Sequence, residues 1–413
     1  MKKLKLLWKK QECNSFFENH ILMKNLINTR YAIITIAIGF FLSCTGSKFT
    51  ADKLIDDGNY EQALVEISAE IEKNPSPYLY FQKGKVHGLI ASDASVSERA
   101  YSYEEMSSSF DSISVYQTSS HQDWRTKADS LSNYYWNLEH QNGLKAYEED
   151  SQESILTAIS HFKNAVSIDP SSIESYKSLS IAQYNNGNID GALESLKVAE
   201  MLPDATTDVF ESLGFLYLEK GDPEQSIIYY KKADQDPLKN KNIAFGLVNA
   251  YISQGKTYEA ISFLDELVHE FPNDAKLHNV YGTQLYEQVS ELFSNLKSAY
   301  SVNDTSTTAT LSVEIEGVSE KAENELIKAY QMDSSNLEFV ESLAVFYNNM
   351  SGNYFSIYQV AFQSDKDTIE AKALSLTDFA ITYYEKLQEL NPSSSYSGKI
   401  DNLKKLKESW TNR

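Results

Sequence analysis

Residues 175–204, SYKSLSIAQYNNGNIDGALESLKVAEMLPD, decide the fold of this 413-residue chain. A core leucine, a turn glycine and a small helix residue of this stretch return at two successive steps of 34 residues. The turn series is Gly187, Gly221 and Gly255. A fixed period of this length is typical of stacked helical hairpins, in which each unit buries its apolar face only against its neighbours. The sequence therefore predicts an all-α solenoid rather than one globular core.

The same stretch resembles the tetratricopeptide repeat along its whole length. Tyr176 stands at the bulky first position, Leu179 in the core and Gly187 at the turn. Ala192 and Ala199 stand where the two helices of a hairpin cross closely and leave little room for a side chain. The resemblance implies a right-handed α-solenoid of about seven such hairpins, with the first helix of each lining a concave face.

Three consecutive regular units are expected over residues 171–272, and weaker units flank them. On the N-terminal side, units within 44–170 are interrupted by a long insertion at about 92–150. On the C-terminal side, 273–392 holds two units with insertions, and 393–413 is expected to form a capping helix that closes the stack. Insertions in solenoids map to loops on one face, often the binding face. The alternative is that they are tolerated decoration, because long loops cost little closure entropy.

An apolar run that ends at a cysteine lies near the start of the chain. Residues 31–43, YAIITIAIGFFLS, are uncharged, follow Lys24 and Arg30, and stop at Cys44. Such a run is typical of a secretory signal and is short for a membrane span. The segment FLSC resembles a bacterial lipoprotein signal, which implies cleavage after residue 43 and lipidation of Cys44. An ordinary signal peptide or an uncleaved anchor is the alternative.

Residues 1–22 fit this signal poorly because they carry Glu12 and Glu18, so Met23 is the expected start and 1–43 the expected signal region. The resemblance implies a lipid-anchored protein of the bacterial cell envelope. Thr45, rather than an aspartate, follows the cysteine. That residue favours the outer membrane, with the repeats facing the periplasm.

The formal charge of −21 argues against a nucleic-acid partner, since phosphate binding requires an excess of lysine and arginine. An acidic surface keeps a repeat protein soluble. The alternative is that this charge selects basic partners.

Sequence motifs for catalysis are not found. The chain has no GxSxG elbow, phosphate-binding loop, GxGxxG or HExxH motif, and its histidines do not pair at metal-ligand spacing. We therefore expect no catalytic residues, no metal site and no cofactor. A clamp for peptide carboxylates is also unmatched, because Lys177 occupies its first place but Ile181 replaces the expected asparagine.

The repeat phase predicts which side chains face the groove formed by the first helices. This set mixes aromatics, amides and an acid, which suits a protein or an extended peptide. Its members are Tyr184, Phe215, Glu219, Phe245, Asn249, Ile252, Tyr286 and Asn348. Packing against neighbouring helices is the alternative role for Phe215, Phe245 and Ile252.

The leading hypothesis is a non-catalytic, membrane-tethered scaffold that binds an envelope protein or peptide. The alternative is a glycan- or nutrient-binding protein, or an enzyme accessory, that uses the 92–150 insertion. Aromatic residues there could stack on a sugar: Tyr101, Tyr103, Tyr116, Trp124, Tyr134, Tyr135 and Trp136.

Overall fold

The computed structural model describes residues 50–116 and 123–412. Within these residues it contains 17 α-helices and no strand, which confirms the all-α fold. The expected signal region 1–43 and Cys44 lie outside the described residues. The chain divides into two compact units, Met1–Ala233 and Asp234–Arg413.

The first unit is a series of five helical hairpins, α1–α2, α3–α4, α5–α6, α7–α8 and α9–α10. A 3₁₀ turn, Val96–Glu98, precedes α4. The helices are α1 (Thr50–Asp56), α2 (Tyr60–Lys73), α3 (Pro77–Asp93), α4 (Ala100–Tyr116), α5 (Trp124–Glu148), α6 (Gln152–Ile168), α7 (Ile173–Asn185), α8 (Ile189–Met201), α9 (Thr207–Lys220) and α10 (Pro223–Ala233).

The second unit contains three hairpins, α11–α12, α13–α14 and α15–α16, and a last helix, α17, that packs on α16. Its helices are α11 (Lys241–Ser253), α12 (Thr257–Glu270), α13 (Ala275–Ser301), α14 (Thr305–Met332), α15 (Leu337–Tyr358), α16 (Lys366–Leu390) and α17 (Ser397–Thr411). The described part of the chain thus holds one hairpin more than the seven or so expected from the repeats.

Glycines with positive φ end the first helix of the regular hairpins. Gly187, Gly221 and Gly255 have φ values of 78°, 86° and 76°. This left-handed conformation is strained for residues with a side chain, so glycine suits the position at which the chain reverses. The 34-residue spacing of these glycines is the spacing of the turns.

The two helices of a hairpin meet where the first one lacks a side chain. A Cβ atom at Gly214 in α9 would lie 2.9 Å from the Tyr230 ring of α10. A Cβ atom at Gly282 in α13 would lie 2.6 Å from Leu326 of α14 and 2.9 Å from the Ala322 carbonyl oxygen. The large side chain of the second helix therefore fills the space that the glycine leaves.

The stretch 92–150 does not form a separate insertion, contrary to expectation. It contains α4 and α5, and each packs against a neighbour along the chain. Phe110 of α4 fills the space beside Gly84 of α3, and Phe162 of α6 does the same beside Gly143 of α5. Two consecutive hairpins, α3–α4 and α5–α6, thus stand where one unit interrupted by an insertion was expected. Their unequal lengths hide the 34-residue period from the sequence.

The extra residues within 273–392 lengthen paired helices instead of forming loops. Helices α13 and α14 have 27 and 28 residues, and they remain packed along each other. The polar stretch 303–308 supplies the turn between them and the start of α14. Asn303 adopts a φ of 58°, and the Asp304 carboxylate caps α14 by accepting from the Thr307 amide.

Contacts between lysine, an aromatic ring and a carboxylate link successive hairpins. In the second unit, the Tyr281 hydroxyl of α13 donates to Asp265 of α12 at 2.7 Å. Lys321 of α14 donates to the same carboxylate at 2.7 Å, with its Nζ atom 5.2 Å from the Tyr281 ring centre. In the first unit, Lys232 of α10 donates to Glu200 of α8 at 2.6 Å. Such half-exposed pairs contribute about 0–1 kcal/mol each, so they align the hairpins more than they stabilise them.

Gly282→Ala is expected to lower the stability of the second unit by roughly 1–3 kcal/mol, because the added methyl group meets backbone as well as Leu326. Gly317→Ala is the matched control, since Gly317 lies in α14 with no atom near its Cβ position. That control should be neutral or slightly stabilising, by about 0.5–1 kcal/mol. Urea unfolding of both variants measures the difference, and equal effects would contradict the close crossing.

Candidate functional site

All eight side chains expected in the groove lie on the first helix of a hairpin. They belong to α7, α9, α11, α13 and α15. Phe215 is 5% exposed and therefore has a packing role, whereas the other seven are partly exposed.

In the first unit, side chains along one face of α7 contact side chains along one face of α9. Tyr184 of α7 meets Phe215 of α9 edge to face, with ring centres 5.4 Å apart. Nearer the start of both helices, Lys177 of α7 forms an ion pair with Asp208 of α9 at 2.5 Å. Residues three or four positions apart share a helix face. We call this surface the α7–α9 face; it comprises Glu174, Lys177, Ile181, Tyr184, Asp208, Glu211, Phe215 and Glu219.

Lys177 is not a free cation on this face. Besides Asp208, it contacts Glu174 of its own helix at 3.4 Å. Burial pushes the pKa of Asp208 upward, but hydrogen bonds from Lys177 and Thr206 hold it below its ordinary value. The lysine that stands at the first clamp place is therefore neutralised within the protein.

Glu211 is the unusual group of the α7–α9 face. It lies one turn after Asp208, and no described residue forms an ion pair or hydrogen bond with its carboxylate. Burial, and then the like charge of Asp208, raise the pKa of Glu211 from 4.5 to about 7. A desolvated carboxylate without a partner is costly, and such groups concentrate at functional sites.

The second unit repeats this arrangement where α13 meets α15. Glu338 and Glu341 lie one turn apart at the start of α15, and Asn279 of α13 donates to Glu338 at 3.4 Å. Burial raises the pKa of Glu338; the Lys276 charge opposes this, and the Glu341 charge adds to it. Each unit thus places a pair of carboxylates on a first-helix face.

Two of the expected groove residues lie nearby in the second unit but do not meet. Tyr286 of α13 packs edge to face against Phe346 of α15, with ring centres 5.8 Å apart. Asn348 of α15 donates to its neighbour Asn349 instead. Phe245, Asn249 and Ile252 follow one another along a single stripe of α11.

The carboxylate pairs were not identified from the sequence, although a signal for them exists. Residues 208–211 read DVFE and residues 338–341 read EFVE, so two acids flank two apolar residues in both. Both segments fall in the first turns of a first helix, where two positions three apart face the same way. Position within the hairpin, rather than the abundance of acids, distinguishes these carboxylates.

A buried carboxylate in the first unit is surrounded by residue types that also occur in catalytic centres, but solvent does not reach it. Glu139 of α5 is 0% exposed and interacts with His161 at 2.6 Å, Arg99 at 2.9 Å and both Tyr103 and Asn164 at 3.0 Å. Burial pushes its pKa upward, but the hydrogen bonds from His161, Asn164 and Arg99 hold it below its ordinary value. Because its partners come from the α3–α4 turn, α4 and α6, this network ties that turn and two helices to α5.

The second unit contains a similar pair between α13 and α14. His278 meets Glu325 at 2.5 Å and the Pro272 carbonyl oxygen at 2.9 Å. The hydrogen bond to Glu325 raises the pKa of His278 above its ordinary value, although burial opposes the shift. His278 is 3% and Glu325 5% exposed, so this pair also belongs to the hairpin interior.

A cleft of about 700 Å³ opens beside α4, and most of its lining comes from the stretch 92–150. Hydroxyl groups, carboxylates and apolar groups line it together: Glu104, Ser107, Ser108, Asp111, Ser112, Val115, Val166, Ser167, Pro170 and Tyr176. The space suits a small polar molecule, but the lining does not define which one.

The aromatic residues of this stretch do not form a platform for sugars. Tyr103 and Tyr135 are buried in the core shared by α3 to α6, with Trp124 and Trp136 packed against it. Tyr116 stacks on Tyr80 at 5.2 Å. Among the expected aromatics, Tyr101 and Tyr134 remain largely exposed, at 69% and 58%.

Across residues 50–116 and 123–412, no three histidine, cysteine, aspartate or glutamate side chains are grouped so that they could hold a metal ion. The helices of these residues include none with the length and apolar character needed to cross a membrane.

Residues 217–282 match the protein-family model described as "Tetratricopeptide repeat". The match includes the turn glycines Gly221 and Gly255. This segment of the all-α fold is therefore similar to the tetratricopeptide repeat. No curated protein matched its sequence.

Several solved structures resemble parts of the chain. For pilF of Pseudomonas aeruginosa the identity is 15% and the TM-score 0.41, with 64% of this chain and 95% of that one covered. MamA protein shows 16% identity and a TM-score of 0.38 over 49% of this chain and 94% of that one. YrrB is titled a TPR protein with an unusual peptide-binding site. It shows 16% identity and a TM-score of 0.36, with 50% of this chain and 89% of that one covered. These values are too low to carry any inference about function.

Glu211→Gln is expected to stabilise the protein at pH 8 and to change little at pH 5. The folded-state pKa of Glu211 lies above its ordinary value of 4.5. Ionisation of the folded protein therefore costs free energy, and stability is lost as the pH rises through this range. Glutamine removes that cost, which amounts to at most ~3 kcal/mol. Thermal unfolding at both pH values measures the effect.

Glu194→Gln is the control, because Glu194 is exposed on α8 and lies away from the α7–α9 face. It should leave the pH dependence of stability unchanged. A Glu211→Gln variant that melts below the unmodified protein at pH 8 would show that the carboxylate has a stabilising partner.

Proposed function

We propose that this protein is a non-catalytic scaffold that binds a protein or an extended peptide along the faces of its first helices. The observation that carries the proposal is the α7–α9 face, where the desolvated, unpaired Glu211 lies one turn before Phe215, the ring partner of Tyr184. Tetratricopeptide repeats build extended surfaces from rigid helices, which supports this role. The carboxylate pair on α15 gives the second unit a comparable surface.

The chemistry of these faces suits recognition of a polypeptide. Aromatic rings offer large contact areas at low entropic cost, and amide and carboxylate groups fix the orientation of a bound backbone or side chain. The groups that resemble catalytic pairs, Glu139 with His161 and His278 with Glu325, are enclosed by helices and bind one another. Scaffolding therefore accounts for the exposed groups and the buried ones alike.

We further propose that the scaffold is tethered to the bacterial envelope by a lipid on Cys44, at the outer membrane and facing the periplasm. The supporting features are the apolar run 31–43 and the FLSC segment that ends at Cys44. Helix α1 begins at Thr50, so an extended chain from the lipid would span at most ~20 Å. Such a tether would hold the first hairpins close to the membrane surface.

Replacing Tyr184 and Tyr286 together by alanine is expected to reduce recovery of crosslinked partners from cell envelopes at least tenfold. Truncating an aromatic hot spot typically costs about 2 kcal/mol or more, which sets this magnitude. Quantitative mass spectrometry of the crosslinked material makes the measurement.

The matched control replaces Tyr101 and Tyr258, which are 69% and 60% exposed on second helices, by alanine. This control should leave partner recovery unchanged. The scaffold proposal fails if the first pair of substitutions has no more effect than the control on any crosslinked protein.

Cys44→Ala is expected to abolish lipid attachment and to release the protein from the membrane fraction. Globomycin, which blocks cleavage of lipoprotein signals, should cause the longer precursor to accumulate. Metabolic labelling with palmitate, followed by membrane fractionation, measures both effects. Unlabelled but normally processed protein would indicate an ordinary signal peptide, and labelled protein in the inner-membrane fraction would contradict the outer-membrane assignment.

A further inference from the structure

The two units share an acidic feature that the hairpin fold does not require. Helices α9 and α15 each begin with two carboxylates one turn apart, Asp208 with Glu211 and Glu338 with Glu341. The residues between them are apolar and buried or partly buried, so the acids occupy the opposite side of the helix. Asp208 and Glu338 face the preceding first helix. Glu341 is exposed, and its charge acts on Tyr384 and Tyr396.

The preceding first helix binds only the first carboxylate of each pair. Lys177 of α7 binds Asp208 at 2.5 Å, and Asn279 of α13 donates to Glu338 at 3.4 Å. Neither Glu211 nor Glu341 has an ion pair or a hydrogen bond with any described residue. The preceding helix therefore satisfies the first carboxylate and leaves the second one available.

The charge around Glu211 is strongly unbalanced. The charged groups of α7 on this face are Glu174 and Lys177, and those of α9 are Asp208, Glu211 and Glu219. Lys177 contacts both Glu174 and Asp208. Among the described residues, no cation of this face forms an ion pair with Glu211.

We propose that Glu211 and Asp208 receive a lysine or arginine side chain of an extended partner peptide, with a neighbouring apolar residue of that peptide packed on Tyr184. The proposal rests on the scaffold function and adds the chemistry of the partner. In the second unit, Glu341 and Glu338 form a separate site that receives a basic side chain in the same way. The chain as a whole, at −21, is complementary to such a basic segment.

Electrostatics favours this occupant over an acidic or neutral one. Burial deprives the ionised Glu211 carboxylate of stabilisation by water. A cation beside Glu211 stabilises the ionised form instead. Guanidinium is the better match, because its planar donors can bind the two carboxylates of a pair together. An incoming carboxylate would instead meet two acids and a neutralised lysine, the reverse of a carboxylate clamp.

The same contact makes binding depend on pH. Burial and Asp208 raise the pKa of Glu211 to about 7, so a substantial fraction of the free protein carries a neutral Glu211 below pH 7. Lysine and arginine stay charged throughout this range. Affinity for a basic peptide is therefore expected to increase from pH 6 to pH 8, as Glu211 becomes ionised.

Panning of the full chain, purified in detergent, against a displayed library of random dodecapeptides tests the partner chemistry. At pH 8 the recovered peptides should be enriched in lysine or arginine next to an aromatic or aliphatic residue. The Glu211→Gln, Glu341→Gln double variant should lose that enrichment, whereas the control Glu194→Gln should retain it. Peptides without basic enrichment, or with the same enrichment on the double variant, would overturn the proposal.

Fluorescence anisotropy with one selected peptide and its glutamine-substituted analogue then measures affinity at pH 6 and pH 8. The expected results are a Kd at least tenfold weaker for Glu211→Gln at pH 8, and loss of the pH dependence in that variant. A melting curve of the variant confirms that it is folded. Equal Kd values for protein and variant would overturn the assignment to Glu211.

The two proposals fail in distinguishable ways. If no peptide is recovered above background by the unmodified protein, and partner crosslinking is also insensitive to Tyr184 and Tyr286, the scaffold function itself fails. If neutral or acidic peptides bind and depend on Tyr184, the scaffold function stands and only the basic partner is wrong.

Discussion

The close crossing of the two helices in each hairpin is the constraint on which the rest of the structure depends. At Gly214 and Gly282 the first helix has no side chain, and a large side chain of the second helix fills the space. The pairing is local, because neighbours along the chain pack together and no distant segment is needed. Added residues can therefore lengthen both helices, as in α13 and α14, without changing the contact.

This way of packing leaves one side of every first helix outside the hairpin. On that side the chain can carry polar and charged groups without weakening the core, and it does so at Asp208, Glu211, Glu338 and Glu341. The buried charges follow a different logic. Glu139 and Glu325 each have a histidine partner within the hairpin interior, as buried ions require. The side of the helix that bears an acid thus decides whether it stabilises the hairpin interior or is available to a partner.

The regular part of the fold could be predicted from the sequence, and the irregular part could not. Gly187, Gly221 and Gly255 mark turns because a left-handed residue is needed after a helix, and this need is local. The stretch 92–150 lacks the repeat pattern because its helices differ in length from those of the regular repeat, although they pack in the same way. Phe110 beside Gly84 and Phe162 beside Gly143 identify its hairpins, but at spacings that no fixed repeat anticipates.

By itself, the sequence determined the all-α class, the hairpin as the repeating unit and the helices that carry an exposed face, since these depend on contacts between residues close along the chain. Only the tertiary structure decided which side chains of that face are already satisfied. Lys177 is bound to Asp208 from the next hairpin, while Glu211, one turn away, is left without a partner. The difference arises from contacts between helices, because desolvation and charge pairing depend on three-dimensional neighbours that spacing along the chain does not specify.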